Sequence, residues 1–242
     1  MLAQLQTAVS MIYPPRCTTC GDLVESDFGL CGPCWRETAF LGGAICDACG
    51  VPLTSGGKDG VFHCDTCMQD PPPWVQGRAA VIYRGNGRKL VLALKHGDRQ
   101  ELARPAGVWM ANMVRNLVSK DTLVVPVPLH WSRLLRRRYN QSALLGAEVA
   151  KNLGVSFCPD ALLRRVRTPS LEGLSHEARM VALEKAITPH PKRGHRLDGK
   201  PILLVDDVMT SGATLKACTN ACFDAGSGPV RILTLARAVK EA

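Results

Sequence analysis

Residues 202–215 read Ile-Leu-Leu-Val-Asp-Asp-Val-Met-Thr-Ser-Gly-Ala-Thr-Leu. The continuously apolar run 202–205 suits a parallel strand covered on both faces, and Asp206 and Asp207 stand where such a strand is expected to end. Ligands of open α/β sheets gather at the carboxyl ends of the strands. The residues that follow there, Val208, Met209, Thr210, Ser211, Gly212, Ala213 and Thr214, are mostly small or hydroxylated. Their backbone N–H groups and hydroxyls, with the N-terminus of a following helix, would bind a phosphate, and Gly212 would let the backbone approach it closely. The two carboxylates would then face the sugar of a sugar phosphate. A plainer alternative is a helix N-terminus capped by Thr210 or Ser211 beside two solvated aspartates.

The order of residues resembles the phosphoribosyl-pyrophosphate motif of type I phosphoribosyltransferases: four apolar residues, Asp-Asp, two variable positions, then Thr-(Ser/Thr)-Gly-x-Thr. The resemblance implies that Asp206 and Asp207 hold the ribose 2′ and 3′ hydroxyls. It also implies that residues 210–214 hold the 5′-phosphate.

The chain has 242 residues, 46% of them hydrophobic and 21% charged, which suits one α/β domain plus something smaller in a soluble globular protein. No apolar run approaches the roughly 18–20 residues that span a bilayer, and the N-terminus lacks a signal-peptide pattern, so a cytoplasmic protein without membrane insertion is expected. Leu2, Leu5, Val9 and Ile12 have helical spacing and predict a short amphipathic helix docked on the rest. The net charge of +9 suggests a polyanionic partner, and the arginines are clustered: Arg133 and Arg136–Arg138, then Arg164, Arg165 and Arg167, then Lys192, Arg193 and Arg196. Aromatic residues make up only 5%, so contact to single-stranded nucleic acid would rest on phosphates more than on base stacking.

Four dicysteine knuckles stand near the N-terminus: Cys17 and Cys20, Cys31 and Cys34, Cys46 and Cys49, Cys64 and Cys67. Disulfides are unexpected in a reducing cytosol, whereas two such knuckles supply the four thiolates of a closed structural zinc site. Eight ligands imply two zinc ions. The first and third knuckles are each followed by glycine, Gly21 and Gly50, while the second and fourth are followed by Trp35 and Met68. That repeat predicts a duplicated zinc ribbon with sequential pairing, and a cross-braced arrangement is the alternative. Cys158, Cys218 and Cys222 are expected in the core.

Pro71–Pro73 mark a linker and place the expected boundary between segments 1–70 and 74–242. Beyond it, strands are expected at 79–84, 123–126, 202–205 and 230–235. A turn is expected at 85–87, and helices through Lys95, over 101–118 and over 141–153, the last stopped by Gly154. The alternation predicts a mostly parallel sheet flanked by helices.

Several further segments resemble ComF-type competence proteins, a double zinc ribbon joined to a type I phosphoribosyltransferase fold, and the resemblance covers essentially the whole chain. They are residues 14–17, 92–97 and 125–130, the Arg137-Arg138-Tyr139-Asn140-Gln141 run, Gly173-Leu174-Ser175, and the motif at 206–214. The resemblance implies a pyrophosphate-binding loop at Pro126, Val127 and Pro128, with Lys95, Arg137 and Arg138 neutralising the same group. Alternatively, Pro126 and Pro128 merely end a strand, the arginines form a solvated face, and Asn140 or Gln141 caps a helix. Residues 179–187 depart from the family's arginine-rich pattern, in the region of the mobile loop, and Leu171 stands where a glutamine is common.

The functional expectation is a protein that binds phosphoribosyl pyrophosphate with Mg2+ and acts in DNA uptake and natural transformation, transferring a phosphoribosyl group. Mg2+ would be carried largely by substrate. The alternative is a non-catalytic adaptor of the competence machinery that binds single-stranded DNA or a helicase. A regulator sensing phosphoribosyl pyrophosphate would call for a DNA-binding helix pair, and none is recognisable.

Overall fold

The computed structural model describes residues 14–25, 29–54, 60–96, 99–166 and 186–239. The expected N-terminal helix, Gly97, Arg167, Leu171, the Gly173-Leu174-Ser175 segment and Arg179 with the residues through 185 lie outside them.

Seven strands and seven α-helices are described: α1 Gly32–Glu37, α2 Asp65–Gln69, β1 Gln76–Ile82, α3 Gly85–His96, α4 Ala103–Val114, β2 Leu123–Pro126, α5 Trp131–Arg137, α6 Gln141–Leu153, β3 Ser156–Phe157, β4 Leu162–Arg164, β5 Ile187–Pro189, β6 Ile202–Met209, α7 Ala213–Asp224 and β7 Val230–Arg237. Five strands form one sheet in the order β1-β7-β6-β2-β3, and every pairing in it is parallel. Strands β4 and β5 pair antiparallel as a separate small ribbon.

The central strand β6 is buried on both faces, which explains its unbroken apolar start. Its residues alternate between two cores. Leu203 and Val205 join α3, α4 and α6 through Leu94, Met110, Leu145 and Val149. Ile202 and Leu204 join α7, the β4–β5 ribbon and the second zinc ribbon through Leu215, Leu162, Cys46 and Trp74. Cys158, Cys218 and Cys222 are fully buried in this second core, as expected.

Helix α6 has the expected bounds. Asn140 caps it by accepting from Ser142 N at 3.1 Å, and Gly154 closes it in the left-handed conformation. Two expectations are corrected. Residues 85–87 form the first turn of α3 rather than a separate turn. Strand β6 does not end at Val205 but runs through the acidic pair to Met209, because β7 continues beside it, pairing Asp206 with Thr234 and Met209 with Arg237. Strand β2 stops opposite Val205, so the carboxylates emerge where one neighbour is lost.

Candidate functional site

The acidic pair sits at the C-terminal end of β6, buried at Asp207 and half-buried at Asp206. Asp207 forms a 2.9 Å ion pair with Lys95, which ends α3. Asp206 accepts from Ser142 Oγ in α6 at 2.8 Å and from the Asp207 amide at 2.9 Å. Burial, then the neighbouring Asp207 charge, pushes the Asp206 carboxyl up to about 7, against the opposing pull of Ser142. One acid is therefore paired with a lysine, while the other is held by a hydroxyl and an amide without a cation of its own among the described residues.

The loop after β6 turns at Thr210 and Ser211, both exposed, and enters α7 through Gly212. Gly212 has φ +80°, and a Cβ there would lie 2.9 Å from Met209 Cε and 3.2 Å from the Trp74 ring. Gly212, the residue before α7, has no side chain with which to cap it, Ser211 Oγ accepts from the first helical amide, Ala213 N, at a long 3.5 Å, and Thr210 makes no such bond among the described residues. The first-turn amides of a helix lack intrahelical acceptors.

Of the residues expected at a pyrophosphate site, Lys95 pairs with Asp207, and the others lie on β2, the loop after it and the end of α5. Pro126 ends β2, and Val127 continues the pairing by donating to Val205 O at 2.9 Å. Asn140 Nδ2 donates to Val127 O at 3.0 Å, which holds the 126–128 loop against the start of α6. Arg137 is half-buried, and its Nε is buried with no hydrogen-bond partner. Burial lowers its pKa while the Asp207 charge opposes that shift, which places the guanidinium within electrostatic reach of the acids. Arg138 is exposed and ends α5 at φ +66°, the one non-glycine in the left-handed region among the described residues. Tyr139 Oη donates to Leu94 O at 2.7 Å and ties this turn to the lysine helix. His96, next to Lys95, has its pKa lowered by burial and by the Arg137 and Lys95 charges.

The cysteines form two clusters, Cys17, Cys20, Cys31 and Cys34, and Cys46, Cys49, Cys64 and Cys67, each with its sulfurs within 4.8 Å of one another. The pairing is sequential. Two sulfur separations, 3.6 Å for Cys20–Cys31 and 3.7 Å for Cys49–Cys64, match the spacing of about 3.8 Å that tetrahedral Zn–S bonds impose. Hydrogen bonding from Cys49 holds the Cys46 thiol down at about 4, and the same contact pushes Cys49 up. A dication removes that conflict by letting all four sulfurs ionise, so the donor set fits zinc.

Sequence reasoning did not single out Trp74 or Arg237. Trp74 Nε1 donates to Ala48 O at 2.6 Å in the second ribbon, and its ring lies over Gly212. Arg237, at the end of β7, donates through Nε to Cys49 O at 3.1 Å and through Nη1 to Thr210 O at 2.8 Å and Met209 O at 3.1 Å. The available signals were a lone tryptophan directly after three prolines and an arginine at the end of the strand beside the acids.

The chain joins a double zinc ribbon to a parallel α/β domain whose acidic pair and glycine turn lie at the carboxyl edge of the sheet. The double zinc ribbon domain family matches residues 8–68. Over nearly its full length the chain is a homologue of the DNA utilization protein YhgH of Escherichia coli K12, at 28% identity over 94% of this chain and 99% of the relative. It is also a homologue of competence protein F of Haemophilus influenzae, at 26% identity over 92% and 97% of the two chains. Among solved structures, a hypoxanthine phosphoribosyltransferase from Staphylococcus aureus aligns with 59% of this chain and 75% of its own, at a TM-score of 0.39 and 13% identity. Among the described residues no helix is long and apolar enough to cross a membrane.

Proposed function

We propose that the carboxyl edge of the sheet binds phosphoribosyl pyrophosphate with Mg2+ and transfers the phosphoribosyl group with loss of pyrophosphate, in the service of DNA uptake in the cytoplasm. The observation that carries this is the junction of β6 and α7, where Asp206 and Asp207 are followed, after Thr210 and Ser211, by Gly212 at φ +80° opening a helix. Asp206 and Asp207 take the ribose hydroxyls, residues 208–214 the 5′-phosphate, and Lys95, Arg137 and Arg138 with the Pro126–Val127–Pro128 loop the pyrophosphate. Mg2+, when bound, supplies charge neutralisation on the leaving pyrophosphate and is held through the substrate beside the acids. The unpartnered Arg137 Nε and the elevated Asp206 carboxyl are groups that a charged ligand would satisfy. Segments 1–70 and 74–242 are the corresponding domains. The names of the relatives support the setting in DNA utilization and competence.

Calorimetry of phosphoribosyl pyrophosphate with Mg2+ on wild type and on the double variant Asp206→Asn/Asp207→Asn tests the reading. Micromolar binding abolished in the variant is expected, followed by pyrophosphate release once an acceptor is present. Absence of binding by a zinc-loaded wild type overturns it.

A second reading, a non-catalytic adaptor that grips single-stranded DNA or a helicase, draws on α5. That helix buries none of its residues and exposes Trp131, Leu134 and Leu135 beside Arg136. Steep loss of oligonucleotide affinity with salt, without dependence on Asp206 and Asp207, would favour it.

A further inference from the structure

The two zinc clusters differ in what they hold. The first ribbon's hydrogen bonds go to the edge of the sheet and to the start of α3: Leu41 N to Ala80 O at 2.8 Å, Ile82 N to Ala39 O at 2.8 Å, and Asn86 Nδ2 to Cys34 O at 3.2 Å. The second ribbon reaches the loop at 209–212. Arg237 bridges Cys49 O to Met209 O and Thr210 O, Trp74 links Ala48 O to Gly212, and Lys216 in the first turn of α7 pairs with Asp70 at 2.5 Å. A cleft of about 490 Å³ lies between ribbon and loop, lined by Thr66, Trp74, Thr210, Ser211, Lys216 and Arg237 among others. Among the described residues the Arg237 guanidinium hydrogen-bonds to carbonyls and to no carboxylate, and its charge faces the cysteine cluster.

Cys49 belongs to the second zinc cluster, and its carbonyl also accepts the Arg237 Nε–H of this bridge. The direction of its carbonyl is set by the knuckle, which is closed by Gly50 N donating to Cys46 O at 2.8 Å and by the convergence of its sulfurs with those of Cys64 and Cys67. A dicysteine knuckle without its metal loses the bond that closes it, and the backbone around it loosens. Arg237 would then lose Cys49 O, the bond that braces its guanidinium against the ribbon, and would hold Met209 O and Thr210 O from a side chain free to move.

We infer that Arg237 is a positioning residue tying the second zinc site to the loop, so that a filled second site holds the loop in its ligand-binding shape and an emptied one releases it, whereas the first site does not act on the loop. The consequence for ligand binding rests on the proposed function; the mechanical coupling does not. Oxidation or chelation of the second cluster would then control the sugar-phosphate site from outside it.

The test pairs zinc content with amide hydrogen exchange over residues 209–216 in ligand-free protein, and with calorimetry of phosphoribosyl pyrophosphate and Mg2+. Arg237→Met, which removes all of the guanidinium's hydrogen bonds, is expected to keep both ions yet speed exchange of this segment and weaken the ligand by about tenfold or more each, since one charge-assisted hydrogen bond alone is worth about that. Cys64→Ser, with the second ion lost, should do the same, and Cys20→Ser, with the first ion lost, should not. Unchanged exchange in Arg237→Met, or equal release by Cys20→Ser, overturns the inference. Should Cys64→Ser fail to fold, Arg237→Met on the zinc-loaded protein decides alone. A wild type that binds no phosphoribosyl pyrophosphate refutes the proposed function instead, and the exchange comparison still decides the coupling.

Discussion

The two zinc ribbons have the same internal geometry and opposite surroundings. In each, a dicysteine knuckle turns through a left-handed glycine, Gly21 at φ +84° and Gly50 at φ +70°. In each, the first cysteine amide donates across the turn, Cys17 to Asp22 O at 2.6 Å and Cys46 to Val51 O at 2.8 Å. In each, a short helix starts directly after the third cysteine, Cys31 at φ −67°, ψ 160° and Cys64 at φ −76°, ψ 159°. Yet a Cβ on Gly21 would meet nothing within 4 Å, while one on Gly50 would press on the backbone of Arg78 and Ala79. Cys20 is exposed, whereas its counterpart Cys49 is 3% exposed. Metal ligation thus specifies the shape of the module, and packing against the sheet specifies its duty.

The largest expected effect separates the ribbons by stability. Cys46→Ser removes a fully buried ligand from the core that also holds Leu204 and Leu215, and should lower the unfolding free energy by on the order of 4–5 kcal/mol, the range of a lost structural metal. Cys20→Ser should loosen residues 14–25 and 29–38 locally and leave the main transition within about 1 kcal/mol, since local openings need not engage the global one. Denaturant melts followed by circular dichroism check both, and equal losses would erase the distinction.

Next in size is the seam where the second ribbon meets β1. Gly77 donates to Asp47 O at 2.8 Å, and a Cβ there would stand 2.4 Å from Ala48 O. Arg78 pairs with Asp47 at 2.5 Å beside it. Gly77→Ala must push the ribbon off the strand, at a cost of about 2–3 kcal/mol by overpacking. Thermal unfolding should show that cost with zinc content unchanged, and the exchange at 209–216 should rise with it.

Much of this division could be read from the chain and part of it could not. The sequential pairing followed from the glycine after alternate knuckles, because a left-handed turn residue is a local requirement. The glycine turn that opens α7 was legible for the same reason, as was α6 with Asn140 and Gly154 at its ends. The extension of β6 to Met209 was not, since a strand's length depends on how far its neighbour β7 continues. Nor was the bridge through Arg237, whose partners are main-chain carbonyls of Cys49, Met209 and Thr210. A carbonyl carries no side-chain identity, so such a contact leaves no pattern in the residues that accept it.

The pH response sharpens the comparison by asking which acid each ribbon can influence. Through Asn86 the first ribbon touches α3, the helix whose Lys95 neutralises Asp207. Asp206 is the acid left raised, at about 7. A carboxyl raised on folding favours the protonated native state, so its contribution is present below the unfolded value near 4 and is lost as pH rises through 7. Asp206→Asn should therefore stabilise the ligand-free protein at pH 8 by about 1–2 kcal/mol and change little at pH 4. Binding of phosphoribosyl pyrophosphate with Mg2+, which needs the carboxylate, should tighten about tenfold between pH 6 and 8. Cys20→Ser should leave that midpoint in place.

The smallest effect concerns the remaining link between the second ribbon and α7. Lys216 is 14% exposed, but its partner Asp70 is 60% exposed, so water and salt screen the pair. A lysine in the first turn of a helix also opposes the positive end of the helix dipole, which cancels part of what the ion pair contributes. Lys216→Met should therefore change stability by less than about 0.5 kcal/mol and leave exchange at 209–216 near the wild-type rate. If the variant instead freed the loop as strongly as Arg237→Met, and 1 M salt did the same to wild type, the coupling would be electrostatic. The second ribbon would then act on the loop through a screened surface charge, and the carbonyl bridge at Cys49 would lose its role in setting the two ribbons apart.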